Sequence, residues 1–285
     1  MRTVYLNGEY IPENKAQVSV FDRGFMYADA VYEVVSVMDG KLVDFAGHMT
    51  RLDRSLGEMK IAGAPSAAAW EAICRALVTR NALNEGMIYW QVTRGNPGDR
   101  SFFWPAPGTP PTVFAFTQAV ALEGNPAAQT GIKVAVLPDL RWGRADIKTT
   151  QLLYASMMKM EAKALGCDDA WMTRDGVITE GTSQNAHIVT KDGVLVTHHL
   201  NRDILHGITR AALLELTGGV VAKVEERAFT VEEAQDSAEA FVSAATALIL
   251  PVVQIDGAVI GDGRPGPVTL ALRVAYIDWA RRNAI

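Results

Sequence analysis

Four places in this chain carry residue types that could share one piece of chemistry. Lys148, in "RADIKTTQLLYASMM", is one of nine lysines in a chain that has eighteen arginines. It follows Asp146 and Ile147 and precedes an apolar run. An amine held among apolar neighbours becomes a nucleophile, because burial disfavours its charged form. Glu180, in "ITEGTSQN", stands where a hairpin strand gives way to a turn, and a carboxylate there could take a proton from a heterocyclic nitrogen. "LHGITRAALLEL" brings Gly207 to a helix start with Thr209 as the expected N-cap. Free backbone N–H groups at such a start suit a phosphate, with the threonine hydroxyl helping. Arg51, on "GHMTRLDRSL", could grip a phosphate through two nitrogens. Taken singly, each has an ordinary reading: a solvated loop lysine, a turn glutamate in water, a helix cap and a surface arginine.

The elements that must position these side chains follow from turn residues and hydrophobic period. "TVYLNGEYIP" reads as a hairpin around Asn7-Gly8, and "AVYEVVSVMDGKLVDF" as a longer one turning at Asp39-Gly40. Phe45, Met49, Leu52, Leu56 and Met59 then recur at helical steps, with Arg51 off the stripe, and Trp70, Ile73, Cys74, Leu77 and Val78 mark a second helix. "MIYWQVTRG" and "TVFAFTQAV" are strand-like, separated by the Pro/Gly-rich "NPGDRSFFWPAPGTPP". "ALEGNPAAQTG" has linker composition. The expected division is a small N-terminal α/β domain over 1–120, a linker over 121–131 and a larger domain over 132–285. In the larger domain, strand "IKVAVLP" precedes the Lys148 segment and its helix, where Leu152, Leu153 and Met157 are expected to pack and hold the amine. Hairpins turning at Asp175-Gly176 and Asp192-Gly193 follow, then the "TRAALLELTGG" helix, "AEAFVSAATALILPVVQIDGAVI" as strands and turn, and a C-terminal helix. Hairpins mixed with isolated helices argue α+β in two domains and not a doubly wound chain.

Bulk properties narrow the function. Apolar residues make up 49% and charged residues 21%, net charge is -5, and no long basic stripe exists, which argues against nucleic acid. Two distant cysteines without Cys/His ligand spacing argue against a metal site. "AATALILPVV" is well short of the roughly 20 residues that span a bilayer. No secretory core is seen in "MRTVYLNGEY", and a cytoplasmic setting is expected. Neither a GxGxxG nor a GxxxxGK[ST] nucleotide loop occurs.

An amine nucleophile, a ring-nitrogen carboxylate, a helix-terminus phosphate cradle and a phosphate arginine are together what pyridoxal 5′-phosphate requires. Their order, in "DRGFMYADAVYEVV", "HMTRLDRS", "GMIYWQVTRG", "RWGRADIKTTQLL", "ITEGTSQN" and "ILHGITR", resembles the fold-type-IV pyridoxal-phosphate enzymes nearly end to end, D-amino-acid aminotransferases most closely. The resemblance implies a larger domain with a barrel-like sheet, and a homodimer. It implies Lys148 as the cofactor-bearing lysine and Glu180 as the partner of the pyridine nitrogen. Arg51, Ile208 and Thr209 fall at the phosphate, and Ser183 among the further cofactor contacts. The family's phosphate threonine falls on Ala245, so Thr246 is the candidate to take over that contact. Two glycines of a family turn are Ala28 and Ala30 here, so that turn must accept Cβ atoms.

The implied activity is ping-pong transfer of an amino group from a D-amino acid to a 2-oxo acid, with a small-molecule donor and acceptor as the only partners besides a second copy. Tyr32 and Val34 fall at the substrate, with Arg100 as the carboxylate-binding arginine. The family histidine beside it reads Phe102, which could admit an (R)-primary amine. A branched-chain L-amino-acid aminotransferase and an aminodeoxychorismate lyase are the alternatives. The branched-chain pattern is weakened by Leu153, where those enzymes carry a tyrosine, and by "SAAT" at Ser243–Thr246.

Overall fold

Strand and helix segments assemble into two separate sheets in the computed structural model, which describes all residues from Met1 to Ile285. The first compact unit comprises 1–121 together with 147–151 and 281–285; the second comprises 122–146 and 152–280. The continuous larger domain expected over 132–285 is thus interrupted, because the short segment carrying Lys148 bonds to a strand of the first unit.

In the first unit, β1 (Thr3–Leu6) and β2 (Glu9–Pro12) join through Asn7 and Gly8, both at positive φ, the turn geometry that matches strand twist. Helix α1 (Arg23–Tyr27) ends at Ala28, whose φ of 52° is left-handed, so the family turn does carry a Cβ here. Strand β3 (Ala30–Met38) returns only briefly as β4 (Lys41–Leu42). Helices α2 (Phe45–Met59) and α3 (Ala67–Arg80) precede β5 (Gly86–Thr93) and β6 (Val113–Ala119). The sheet is antiparallel throughout, in the order β2-β1-β6-β5-β3-β4. Trp70 of α3 stacks on Trp90 of β5 at 5.2 Å in its core. α2 buries the expected Phe45, Met49, Leu52 and Leu56, but also His48, Arg51 and Ser55. Arg51 is therefore not a surface arginine.

In the second unit, α4 (Ala127–Thr130) lies within the stretch read as linker and β7 (Ile132–Pro138) follows. Next come α5 (Leu153–Ala164), β8 (Asp169–Arg174), β9 (Val177–Gly181), β10 (Asn185–Val189) and β11 (Val194–Thr197). The remainder is α6 (Ile208–Glu215), β12 (Lys223–Glu226), α7 (Val231–Gln235), β13 (Glu239–Ala244), β14 (Leu248–Ile255), β15 (Ala258–Val259) and α8 (Pro267–Asn283). The sheet order is β12-β11-β10-β13-β14-β7-β8-β9, with β15 on β14. β9 and β10 lie five places apart in that order, yet only residues 182–184 join them. The sheet must therefore curl back on itself, which gives the barrel-like form. Val134, Trp171, Ile178, Ile188, Val242 and Ile255 fill its core.

One expected packing face is reversed. Leu152, Leu153 and Met157 are 41%, 76% and 53% exposed, so they do not brace the lysine. α5 instead buries Ala155 and Ala162, and Ala162 packs with Ala135 and Ala170 of the strands beneath. Small side chains let the helix lie close to the sheet and leave the large ones outside. No helix is long and apolar enough to cross a membrane.

Candidate active site

Lys148 is placed by backbone pairing. Its carbonyl accepts the N–H of Tyr32 at 3.0 Å, Thr149 bridges Val31, and Thr150 N–H donates to Ala30 O at 3.1 Å. The Lys148 segment thus runs beside the start of β3. The Lys148 Nζ lies 4.2 Å from the centre of the Tyr32 ring, a cation–π distance.

Strand alternation sorts the neighbours of Tyr32. Tyr32 and Val34 share one face of β3 and stay half-buried, while Glu33 points to the opposite face and is fully buried. There Glu33 accepts Arg51 Nε at 2.8 Å and Arg51 Nη2 at 2.7 Å, the fork geometry that suits a guanidinium, and His48 Nδ1 at 2.7 Å. Burial pushes the Glu33 carboxyl up, but the Arg51 charge and the hydrogen bonds from Arg51 and His48 outweigh it and hold the pKa at about 2. Burial also lowers the His48 pKa against the opposing pull of Glu33, which favours a neutral ring donating from Nδ1 to that carboxylate. Tyr89 stacks on Tyr32 at 5.3 Å and donates its hydroxyl to Gln91 Oε1 at 2.7 Å.

Arg100 is exposed, with its guanidinium 5.5 Å from the Tyr27 ring and 5.0 Å from the Phe102 ring. Phe102 is 77% exposed and meets Tyr27 edge-on. Their loop is moored by Arg23, which stacks on Tyr27 and donates to the carbonyls of Ser101 and Phe103. Asp29 in turn accepts from Arg23 at 2.7 Å and from Arg94 at 2.7 and 2.9 Å.

In the second unit, Glu180 lies inside β9 and is 4% exposed, so it is not the turn glutamate in water that its flanking residues suggest. Its Oε1 accepts Arg141 Nη1 at 2.6 Å; its Oε2 accepts Asn185 Nδ2 and the Leu205 N–H, both at 3.0 Å. Burial raises the Glu180 pKa, and Arg141 and the Leu205 N–H oppose that rise. Asn185 also donates to Leu205 O at 2.9 Å, which ties the carboxylate to the approach of α6.

The N-cap of α6 is Gly207, not Thr209, and no side chain caps it. Helical geometry already begins at Ile208, which leaves Thr209 buried within the first turn. A Cβ on Gly207 would meet Asn185 Oδ1 at 2.0 Å, so any larger residue must push the Asn185 side chain aside. Ile208 is half-buried, Ser183 is exposed on the bend after β9, and Thr246 is half-buried on the turn between β13 and β14. Lys148, Tyr32, Val34, Arg51, Arg100 and Phe102 are residues of the first unit; Glu180, Ser183, Ile208, Thr209 and Thr246 belong to the second. Glu33, His48, Tyr89 and Arg141 are the additional side chains that the geometry reveals. Only Glu33 carried a sequence signal, as a lone charge inside an apolar strand.

The family model for class IV amino-transferases matches residues 30–255. A D-alanine aminotransferase of Staphylococcus haemolyticus is 36% identical over 277 residues, 97% of each chain. Among solved structures, the branched-chain amino acid aminotransferase of Escherichia coli superposes with a TM-score of 0.88 at 26% identity, covering 98% of this chain and 94% of that one. A T.th. branched-chain amino acid aminotransferase with pyridoxamine 5′-phosphate gives a TM-score of 0.87 at 23% identity, covering 99% of this chain and 95% of that one.

Proposed function

The chain belongs to the class IV aminotransferases, and on that footing we propose that it moves an amino group between a D-amino acid and a 2-oxo acid with pyridoxal 5′-phosphate as cofactor. Support for the D-amino-acid donor is the full-length similarity to a D-alanine aminotransferase. The single observation that carries the site is Lys148, an amine laid over the Tyr32 ring with no acidic partner.

The donor set fits this cofactor. Glu180 is a buried carboxylate that accepts Arg141 on one oxygen and Asn185 and Leu205 on the other, which keeps it oriented for a ring nitrogen that brings its own proton. The uncapped start of α6 offers the N–H groups of Ile208 and Thr209 to a phosphate, and Gly207 lets the chain approach closely. Arg51 adds a fixed cation and Thr246 a hydroxyl. When bound, pyridoxal phosphate supplies an aldehyde that carries the amino group and a ring that accepts electrons from the substrate α-carbon. Lys148 would be the group that moves a proton between that α-carbon and the cofactor C4′. Glu180 holds the proton on the ring nitrogen. Tyr32 and Val34 line one side of the substrate and Arg100 binds its carboxylate; Phe102 beside it brings no carboxylate donor, so a substrate without a carboxylate, an (R)-primary amine, also fits the reading.

A branched-chain L-amino acid is the second reading, favoured by the structural likeness to the E. coli enzyme. A donor panel of D-alanine, D-glutamate, L-leucine and (R)-1-phenylethylamine against a common 2-oxo acid separates these readings. D-amino acids should lead, and activity confined to L-leucine overturns the proposal. Lys148→Ala should abolish transfer while the protein stays folded. The proposal extends to a cytoplasmic homodimer: Leu153, Met157 and Phe103 are large, apolar and exposed in the single chain, and sedimentation would test the dimer.

A further inference from the structure

Arg141 would touch none of the reacting atoms, yet it is the side chain most firmly fixed against Glu180. Its Nε and Nη2 bond the two oxygens of Asp139 at 3.0 and 2.8 Å, and its backbone N–H adds a third bond to Asp139 at 3.1 Å. That leaves Nη1 aimed at Glu180 Oε1, at 2.6 Å. Asp139 is itself locked by Thr179 Oγ1 at 2.8 Å, on the residue just before Glu180. Mooring and target therefore sit at neighbouring places in the same curled sheet, Asp139 just past the end of β7 and Glu180 on β9, on either side of β8.

Charges around this point do not balance. Glu180, Asp139 and Asp203 face Arg141 and Arg174, three carboxylates against two guanidinium ions, with one negative charge left over. A protonated ring nitrogen at Glu180 would neutralise the group. Removing Arg141 would leave the buried Glu180 and Asp139 with only the partly exposed Arg174, which Asp203 already engages, and Glu180 would relieve this by taking up a proton itself. A protonated Glu180 cannot keep a proton on the ring.

Resting on the reading of Glu180 as the ring-nitrogen partner, we infer that Arg141 is a positioning residue that holds Glu180 ionised and so sets the protonation state of the bound cofactor. Asp139 acts one step further back by aligning Arg141. Neither touches the reacting atoms.

The test uses holoenzyme carrying pyridoxal phosphate isotope-labelled at its ring nitrogen, read by nitrogen NMR at neutral pH. Wild type should show a protonated nitrogen. Glu180→Gln and Arg141→Met should both shift the resonance to the unprotonated position. Arg141→Lys keeps a cation but replaces the planar fork, whose separate nitrogens span Asp139 and Glu180, with a single ammonium, so its resonance should fall between the two and move with pH. That variant also secures the test if Arg141→Met does not fold. A purely structural Arg141 would lower cofactor occupancy and leave the resonance of the bound fraction unchanged. If Glu180→Gln deprotonates the ring while both Arg141 variants leave it protonated, the inference is overturned and the reading of Glu180 stands. If Glu180→Gln leaves the ring protonated, the reading of Glu180 falls, and this inference with it.

Discussion

Replacing Glu33 with Gln should reduce stability by about 3–5 kcal/mol at neutral pH, because it strips a buried arginine of its counter-charge. The carboxylate is fully buried and holds Arg51 by two bonds of 2.8 and 2.7 Å and His48 by one of 2.7 Å. Proton linkage gives a second, independent magnitude. The Glu33 pKa lies at about 2 against an ordinary 4.5. A gap of that size corresponds to about 3 kcal/mol favouring the folded, ionised state. The sign follows from the depressed folded pKa: the contribution is fully present above the unfolded value and is lost as pH falls through the folded one. Wild-type stability from this group should therefore decline between pH 4.5 and about 2. Urea unfolding of the cofactor-free protein, wild type against Glu33→Gln, checks this at a series of pH values. The gap between the two should be constant from neutral pH down to the ordinary carboxylate range and should narrow below it. A gap under about 1 kcal/mol, the size of a surface pair, or one that does not narrow with acid, would refute the reasoning.

Gly207→Ala should weaken cofactor binding at least about tenfold, about 1.4 kcal/mol, since its Cβ would displace Asn185 from Glu180; titration of the cofactor-free protein reads this. Ala28→Gly should raise the urea midpoint by up to about 1 kcal/mol of stability. It relieves a left-handed alanine, a strain of roughly 1–2 kcal/mol, partly offset by the greater freedom of glycine when unfolded. Leu153→Lys should leave the unfolding of dilute protein within about 0.5 kcal/mol of wild type, because that side chain is 76% exposed. If α5 forms a contact between copies, the same variant should remove any concentration dependence of the melting temperature.

Local signals were legible wherever a residue type leaves the backbone little choice. Asn7-Gly8, Asp175-Gly176 and Asp192-Gly193 all turn hairpins, and Asn7, Asp175 and the three glycines do so at positive φ. The α2 stripe was legible because four of its five apolar positions face one core. Non-local partners were not. Glu33 looks like a defect in a strand until Arg51 arrives from α2, eighteen residues later, to neutralise it. Arg141 looks like a loop arginine, because its distal partner lies thirty-nine residues ahead. The Lys148 segment has no hydrophobic period of its own, so its pairing beside β3, and with it membership of the first unit, cannot be read locally. On α5 two faces compete: leucines and methionines mark one, alanines the other, and the close approach to the sheet selects the alanines. The α6 cap was misplaced for a related reason. Thr209 has the better capping side chain, but the close approach to Asn185 favours glycine, and the helix starts where the glycine is.

Each unit's share of the proposed cofactor contacts meets the same electrostatic difficulty in an opposite sense. A group that must bind a charged ligand has to be charged, desolvated and oriented before the ligand arrives, and burial alone would neutralise or disorder it. In the first unit the proposed phosphate contact is the cation Arg51, and the buried carboxylate Glu33 keeps it in place. In the second the proposed ring-nitrogen contact is the carboxylate Glu180, and the cation Arg141 keeps it in place, moored by Asp139. Buried pairs of this kind add little net stability compared with apolar residues of the same size, so stability does not account for them. Under the proposed function, preorganisation does: each pair fixes one charge so that a phosphate or a ring nitrogen would meet a partner already aligned. This predicts a division between the members of each pair. Conservative loss of the inner member, Glu33 or Asp139, should shift binding and protonation through its partner, while loss of Arg51 or Glu180 should remove the contact itself.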